Sequence, residues 1–462
     1  MFEIDKIERV YLLGIGGIGM SALARYFRFT GKKVDGYDKT PSQLTLELEK
    51  EGIAIHYSDD LQKVPTIDAK DSTVVIYTPA VPNNFAEFCY FRDNGFSVYK
   101  RSAVLGLLTA GKRCIAIAGT HGKTSVTTMT AHLLRQSHVD CSAFMGGISK
   151  NYGTNLLLPE NKSQYIVVEA DEFDRSFLQL HPELAVITWM DADHLDIYGD
   201  HESVIKAFAD FVSQIQDGGT ILYRKGSNID YNWNKKIKYF SYSVSEEADF
   251  QAMQIRIIDG SYHFDLKTPF GEIRDLSLTY PGLMNVENAV AACGMAILSG
   301  VTPEEIRGSL SVYSGVVRRF DVRYSGSKTI YIDDYAHHPR ELEATIRSVR
   351  DLYPGKRITG IFQPHLFSRT KDFADEFAAA LDLLDNALVM EIYPARELPI
   401  EGVDSSIILN KMKLKSRLRC QRSELPAILG NYNTEILLTL GAGDIDRLVE
   451  PIVTYLMQNE NV

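Results

Sequence analysis

Nowhere in the 462 residues does an apolar run reach the roughly 18 residues that a membrane-spanning helix needs. The opening Met1-Phe2-Glu3-Ile4-Asp5-Lys6 lacks the basic and apolar regions of a signal peptide, so the expected location is the cytoplasm with no membrane partner. Cysteine is scarce: Cys89, Cys114, Cys141, Cys293 and Cys420 lie far apart with no Cys-x-x-Cys pair, which argues against both a disulfide framework and a cysteine zinc site. They are expected to be buried, reduced packing residues. Positive charge is in deficit, 49 Lys and Arg against 60 Asp and Glu, and the net charge of −11 argues against a general nucleic-acid or membrane-surface binder. An anionic substrate is compatible with that balance, because the cations of one pocket decide the matter locally. Internal repeats and low-complexity tracts are also missing. The chain is too long for one core, and its 45 % hydrophobic and 24 % charged residues describe an ordinary soluble protein of roughly three domains.

What is present is organised around Cys114–Thr124. The run Cys114–Ala118 reads as a buried strand and Gly119-Thr120-His121-Gly122-Lys123-Thr124 as a phosphate-binding turn. The segment Ser125–Leu134 follows as a helix with Val126, Met129, Leu133 and Leu134 on one face. Backbone N–H groups at the start of that helix, with its dipole behind them, suit a polyphosphate. Lys123 offers a point charge to the β/γ-phosphates and Thr124 a hydroxyl to Mg2+. The pattern departs from a strict Walker A, because Ile117 stands where its first glycine would be. An ordinary glycine-rich strand-to-helix turn is the alternative.

Ahead of this loop, strand Val10–Leu13 runs into Gly14-Ile15-Gly16-Gly17-Ile18-Gly19, a G-x-G-x-x-G at the mouth of a helix that Gly31 ends. Asp38, after strand Lys33–Tyr37, stands where a ribose-binding acid would. Alone, this suggests a nicotinamide dinucleotide, and any ligand with a nucleotide pyrophosphate fits the same physics. Runs Thr73–Tyr77 and Phe96–Tyr99 continue the α/β pattern, and the turn Thr78–Pro82 marks a ligand edge. Residues 1–106 are therefore expected to form an open-sheet nucleotide-binding domain.

In the second expected domain, residues 107–317, two strands end in acid clusters. Tyr165–Val168 leads to Glu169-Ala170-Asp171-Glu172, and Leu184–Thr188 to Asp191-Ala192-Asp193-His194-Leu195-Asp196. The C-terminal ends of parallel strands bound the ligand crevice, so both clusters should face the phosphate loop. Carboxylates there can hold the magnesium of a nucleotide, and a histidine can ligate metal or phosphate oxygen. For any one of these acids a helix cap or a solvated loop charge is an equal reading. Short alternating runs over Ala248–Leu278 predict antiparallel hairpins. A helix then starts at Asn285, read as its N-cap, with Asn288 one turn in as a ligand contact.

Beyond Ser314–Phe320, residues 318–462 again alternate. Strand Thr329–Ile332, helix Arg340–Leu352, strand Arg357–Phe362, helix Lys371–Leu384, strand Ala387–Ile392 and strand Glu435–Leu440 predict a second open α/β sheet. Two of its strand ends carry Asp333-Asp334-Tyr335-Ala336-His337-His338-Pro339 and Gln363-Pro364-His365-Leu366-Phe367-Ser368-Arg369, a concentration of histidine, arginine and aspartate typical of a site.

These stretches, with Arg318-Arg319-Phe320-Asp321 at the last boundary, together resemble the Mur ligases, ATP-dependent amino-acid ligases of peptidoglycan synthesis; the likeness runs from Tyr11 to about Leu448. The resemblance implies an α/β protein of three domains, each on an open, mostly parallel sheet. These would be a Rossmann-like UDP-binding domain, a P-loop ATPase-like central domain with an antiparallel hairpin addition, and a Rossmann-like C-terminal domain. It implies that ATP and Mg2+ drive the joining of L-alanine to the carboxylate of UDP-N-acetylmuramate through an acyl phosphate. The alternative acceptor is a tripeptide, joined to the same UDP-sugar in muropeptide recycling.

Carried over position by position, Gly16, Gly17, Ile18, Gly19, Met20, Ser21 and Asp38 would hold the UDP-sugar. Gly119, Thr120, His121, Gly122, Lys123, Thr124, Ser125, Asn288, Arg319 (or its neighbour Arg318) and Asp334 would bind ATP, with Thr124, Glu169 and His194 on the metal. His337, His365 and Arg369 would receive the amino acid, and His337 is the candidate base for its ammonium. Lys123, Glu169, His194, Arg319, Asp334 and His337 form the expected catalytic set. The chain departs from the family at Met284, often histidine, and at Leu366, often arginine, which moves carboxylate recognition onto Arg369. No lysine stands clearly where relatives carry a carbamylated one, Lys206 being nearest. A monomer or weak homodimer is expected, with no nucleic-acid partner. A nicotinamide-dependent dehydrogenase, the competing reading from another class, leaves the acid clusters unexplained.

Overall fold

The computed structural model describes residues 4–67, 69–191, 195–395, 397–430, 432 and 434–460. Five short parallel strands come first: β1 (Arg9–Leu13), β2 (Lys33–Tyr37), β3 (Ala54–His56), β4 (Thr73–Tyr77) and β5 (Ser97–Lys100). Their order is β3-β2-β1-β4-β5. The central β1 and β4 are buried along almost their whole length, as strands covered on both faces must be. Strand order reverses beside β1, so a crevice opens at its C-terminal end, where the chain turns at Gly14 (φ +83°) into the helix Ile18–Phe29.

The second sheet has ten strands: β6 (Arg113–Ala118), β7 (Ser142–Ser149), β8 (Thr154–Leu157), β9 (Tyr165–Glu169), β10 (Leu184–Ile187), β11 (Thr220–Arg224), β12 (Lys238–Ser243), β13 (Phe250–Ile258), β14 (Ser261–Thr268) and β15 (Gly271–Leu278). Their order is β15-β14-β13-β12-β11-β10-β6-β9-β7-β8. Parallel pairing sets Ile117 beside Glu169 and Ala118 beside Ile187, which delivers the loops after β6, β9 and β10 to one edge. The turn between β13 and β14 is Asp259-Gly260, both at positive φ, the chemistry of a two-residue hairpin. In the third sheet β16 (Asp321–Ser325), β17 (Ile330–Asp334), β18 (Ile358–Phe362), β19 (Asn386–Val389), β20 (Arg417–Arg419) and β21 (Ile436–Leu440) run in the order β16-β17-β21-β18-β19-β20, with β16 antiparallel and the others parallel.

The chain forms two compact units. The first runs to Gln254 and takes in Phe264–Ser277 and Glu287–Tyr313; the second comprises Ile255–His263, Leu278–Val286 and the chain from Ser314 onward. Within the first unit one apolar core runs from Ile7 to Tyr223 beneath both of its sheets. Asn155, fully buried on β8, ties them together: its Nδ2 donates to the Ile18 carbonyl (2.6 Å) and to Ser21 Oγ (2.9 Å), and its Oδ1 accepts from Arg25. The second unit has its own core around Tyr331, Leu388, Leu437 and Ile452. Among the described residues no helix is long and apolar enough to cross a membrane. All five cysteines are free thiols; four are buried and Cys89 is half-buried.

Two local expectations change, and one strand was not foreseen. The helix expected over Lys371–Leu384 is two, Phe367–Asp372 and Ala374–Leu381, because Phe373 leaves helical geometry and sets its ring edge-on to His338 at 5.0 Å. The helix expected to begin after Asn285 begins at Leu283, and the Asn285 side chain donates back to the Pro281 carbonyl instead of capping. The edge strand β20, Arg-Leu-Arg, is exposed and carries no apolar alternation that would announce it.

Glu87, on the helix Ala86–Asp93, is fully buried beneath β1. Tyr11 donates its hydroxyl to Glu87 Oε2 at 2.7 Å, and His56 Nε2 lies 3.3 Å from Oε1. Burial pushes the carboxyl up to about 7; the Tyr11 hydrogen bond opposes this and nearby Asp59 and Asp60 add to it. The folded state therefore keeps a proton that the unfolded chain gives up near its ordinary value of 4.5. The stability this contributes is complete below that value and is lost as pH rises through about 7. Between pH 4.5 and 8, wild-type protein should lose about 3 kcal/mol of unfolding free energy relative to Glu87→Gln, measured by urea denaturation. Parallel pH profiles for the two proteins would show that Glu87 does not carry the proton.

Candidate active site

The helix after β6 starts at Lys123, directly behind Gly122 in the left-handed region (φ +81°). A Cβ on Gly122 would sit 2.8 Å from Asn288 Oδ1, so the absent side chain lets the Leu283–Leu298 helix press its asparagine onto the loop. Gly119 (φ +134°) has no room for a Cβ either, which would collide with Thr188 Oγ1 and lie 2.8 Å from the Trp189 nitrogen. The strand end of β10 braces the loop from beneath: Thr120 N–H donates to the Trp189 carbonyl (2.9 Å), and Asp191 N–H donates to Thr120 Oγ1 (3.1 Å). His121 Nε2 lies 3.4 Å from Asp191 Oδ2.

Lys123 folds back under this loop. Its Nζ donates to the Gly119 carbonyl at 2.6 Å and to Glu172 Oε1 at 2.9 Å, and lies 2.8 Å from Glu172 Oε2. Burial by itself would lower the lysine pKa; the charges of Glu172, Asp171 and Glu169 outweigh it and hold the ammonium well above its ordinary value. Glu172, 1 % exposed, is pushed up by burial and drawn back by Lys123. The pair is an internal ion pair at the start of the helix behind the glycine-rich loop. Thr124 and Ser125 are buried in the first turn of the same helix.

Beside it lies a cavity of about 220 Å³ lined by Gly17, Ile18, Gly19 and Met20 on one side and by Arg101, Gly146, Glu169 and Asp171 on the other. Gly146 has no space for a Cβ against the Glu169 carboxylate, and Arg101 Nη2 lies 3.6 Å from Asp171 Oδ2. One wall of the cavity is thus the glycine-rich turn and the other the acid cluster, so a ligand held by the turn meets the carboxylates directly. Ser21 and Asp38 serve the turn itself. The Ser21 hydroxyl donates to the Ile18 carbonyl (2.9 Å), and an Asp38 oxygen accepts from Gly16 N–H (2.8 Å).

The second unit gathers the other residues. Asp334, at the end of β17, accepts from Phe320 N–H (2.6 Å) and Ala336 N–H (2.7 Å). Burial pushes its carboxyl up to about 6 against the opposing charge of Arg319. Arg318, at φ +63°, is committed to structure, with Nε on Asp333 (3.0 Å) and Nη2 on the Gly441 carbonyl (2.7 Å). Arg319 lies over the Tyr335 ring at 4.9 Å, its Nη1 3.9 Å from Glu341. His337 Nδ1 is 3.2 Å from Glu341 Oε2, and the rings of His337 and His365 stand 5.8 Å apart. Arg369 is buried on the short helix Phe367–Asp372, which Leu366 enters at φ +70°.

The structure therefore brings Gly119–Ser125, Glu169 and Asn288 together in one unit, and Arg319, Asp334, His337 and His365 in the other. His194 lies outside the described residues, and among those described no three His, Cys, Asp or Glu side chains converge as a metal cage. Thr124 and Glu169 each carry the kind of hard oxygen donor that suits Mg2+. Lys206 is largely exposed, paired with Asp210 on the outer face of the helix His201–Ser213. The residues not singled out from sequence are Glu172, Arg101 and Trp189. Glu172 ends an acid run that was visible, and Arg101 follows Lys100 at a strand end, a cationic pair that could have been weighed as an anion contact.

The Mur ligase family, catalytic domain, matches residues 9–113; the Mur ligase middle domain matches 117–296; and the Mur ligase, glutamate ligase domain, matches 318–433. The chain is 50 % identical to a UDP-N-acetylmuramate–L-alanine ligase of Parabacteroides distasonis, over 98 % of both chains. It is 49 % identical to one of Phocaeicola vulgatus, over 98 % of this chain and 99 % of the relative. The crystal structure of the UDP-N-acetylmuramate–alanine ligase of Thermotoga maritima superimposes with a TM-score of 0.83 at 25 % identity, covering 98 % of this chain and 99 % of that one.

Breaking the internal ion pair tests the site's electrostatics. Glu172→Gln leaves a buried ammonium without its nearest anion and should cost about 3 kcal/mol of stability by chemical denaturation. Added inorganic tripolyphosphate should raise the melting temperature of the variant more than that of wild type. Equal shifts would mean that phosphate does not reach Lys123.

Proposed function

The chain belongs to the Mur ligase family, and from that membership we propose that it joins L-alanine to the lactyl carboxylate of UDP-N-acetylmuramate at the expense of ATP, in the cytoplasm, as a step of peptidoglycan precursor synthesis. The observation that carries this reading is the full-length match to relatives named for L-alanine; no feature favours the tripeptide acceptor. We keep residues 1–106, 107–317 and 318–462 as the proposed division into UDP-sugar, ATP and closing domains.

Enzymes of this family are ATP-dependent. In the proposed reaction the γ-phosphoryl group passes to the carboxylate, giving an acyl phosphate and ADP. The amine of alanine then attacks the carbonyl carbon, the C–O bond to phosphate breaks, and one proton leaves the nitrogen as the amide forms. Phosphoryl transfer of this kind needs placement and charge neutralisation more than covalent help. Lys123 exchanges Glu172 for phosphate oxygens, while Gly119–Thr124 present N–H groups to the same chain of phosphates. Arg319 neutralises charge on the transferring group, Asp334 orients the nucleotide side, and Asn288 contacts the nucleotide. Mg2+, held by Thr124, Glu169 and His194, would supply Lewis-acid screening of the phosphates. Gly17–Met20 seat the UDP-sugar, with Arg101 as an additional anion contact. His337, its Nδ1 3.1 Å from the Tyr335 carbonyl, takes the amine proton, and Arg369 grips the carboxylate of alanine, with His365 beside it.

A coupled phosphate-release assay with UDP-N-acetylmuramate and each amino acid tests the reading: L-alanine should give the highest kcat/KM. Glycine and L-serine should be poorer but measurable, since one methyl or hydroxyl is worth only about 1–3 kcal/mol of discrimination. Release with a tripeptide in place of alanine would assign the recycling reaction instead. Lys123→Ala should lower kcat on the order of 10²-fold or more while UDP-sugar binding persists. Arg369→Lys should raise the KM for alanine far above any change for ATP or the UDP-sugar, because lysine cannot pair bidentately with a carboxylate. An unchanged alanine KM would move the amino-acid site elsewhere.

A further inference from the structure

Trp189 stands where β10 ends, and its carbonyl receives the N–H of Thr120. Because a Cβ on Gly119 would lie 2.8 Å from the Trp189 nitrogen, loop and tryptophan backbone have no slack between them. Parallel pairing of Ile187 with Tyr223 brings Arg224, the last residue of β11, to the same sheet edge. The guanidinium carbon of Arg224 lies 3.5 Å from the centroid of the Trp189 ring, a close cation–π stack. Its Nε is held in turn by both oxygens of Glu287 at 3.0 Å. Glu287 precedes Asn288, whose side chain abuts Gly122. One helix thus grips the phosphate loop at two points, at Gly122 through Asn288 and at Gly119–Thr120 through Glu287, Arg224 and Trp189.

We propose that Trp189, Arg224 and Glu287 are positioning residues that hold the phosphate loop in its nucleotide-binding shape. The inference rests on the ATP-dependent reading and assigns that reaction three residues that do not touch the substrates. Both charged groups are largely withdrawn from water, the Glu287 side chain 12 % and the Arg224 side chain 23 % exposed, so their attraction is weakly screened. Only a planar guanidinium can stack on the indole and take the carboxylate edge-on at once; lysine keeps the charge and loses the plane.

The chain has two tryptophans, Trp189 and Trp233. In Trp233→Phe, fluorescence then reports Trp189 alone, and titration with Mg-ADP should give a saturable change. Adding Arg224→Lys should weaken ADP binding and raise the KM for ATP about 5- to 30-fold, the reach of a partly desolvated cation–π contact. The KM values for UDP-N-acetylmuramate and alanine should stay within about twofold of the parent. In the otherwise native chain Trp189→Phe, which keeps a ring face, should fall between wild type and Trp189→Ala, and supplies the same comparison if the arginine variant does not fold. An ATP KM that stays within about twofold in Arg224→Lys and Trp189→Ala, or three KM values rising together, would overturn the assignment. Failure of the ligase reading shows separately, as wild-type protein that binds ADP yet releases no phosphate with the UDP-sugar and alanine.

Discussion

An ammonium group taken out of water must find an anion, and the architecture of the first unit follows from how Lys123 finds one. The lysine opens a helix behind a left-handed glycine, so its stem runs under the loop and its Nζ meets Glu172 and the Gly119 carbonyl. That arrangement keeps the lysine charged and in place. It also explains the crowding around the loop. Gly119, Gly122 and Gly146 each lie where a Cβ would strike a neighbour, and those neighbours, Thr188, Asn288 and Glu169, are the groups that define the site.

The second unit solves a different problem, that of presenting one arginine while immobilising another. Arg318 and Arg319 are adjacent, yet the left-handed backbone at Arg318 turns it inward onto Asp333 and a main-chain carbonyl. Arg319 is directed instead across the Tyr335 ring toward Glu341, the carboxylate that also accepts from the backbone N–H groups of His337 and His338. One glutamate therefore lies near the Arg319 guanidinium and fixes the backbone at the start of the helix Pro339–Leu352. Asp334 completes the group as a buried carboxyl held by two backbone N–H donors.

Much of this was legible in the sequence because it is local. The strand, glycine turn and helix at residues 113–135 follow from apolar run, glycine spacing and helical periodicity, and parallel strands carry acids to one edge by topology alone. What escaped depends on contacts distant in the chain. Phe373 leaves its helix to meet a histidine 35 residues earlier. Asn285 looks like a cap from its type and position, but the helix starts earlier and the side chain bonds Pro281 instead. Trp189 carries no motif, and its contacts are with an arginine one strand over, which in turn pairs with a glutamate near residue 290. Glu172 was visible as one acid among several, and only the fold distinguishes the one that faces the lysine.

Whether Lys123 is a charged lysine that exchanges an internal carboxylate for phosphate can be read from the 15N resonance of its side-chain nitrogen, assigned by comparison with Lys123→Arg. An ammonium signal should persist above the pH at which exposed lysines titrate, around 10.4, and should shift on addition of Mg-ATP as Glu172 is replaced by phosphate oxygens. A Lys123 signal that titrates with the surface lysines, or that Mg-ATP leaves unmoved, would contradict that expectation.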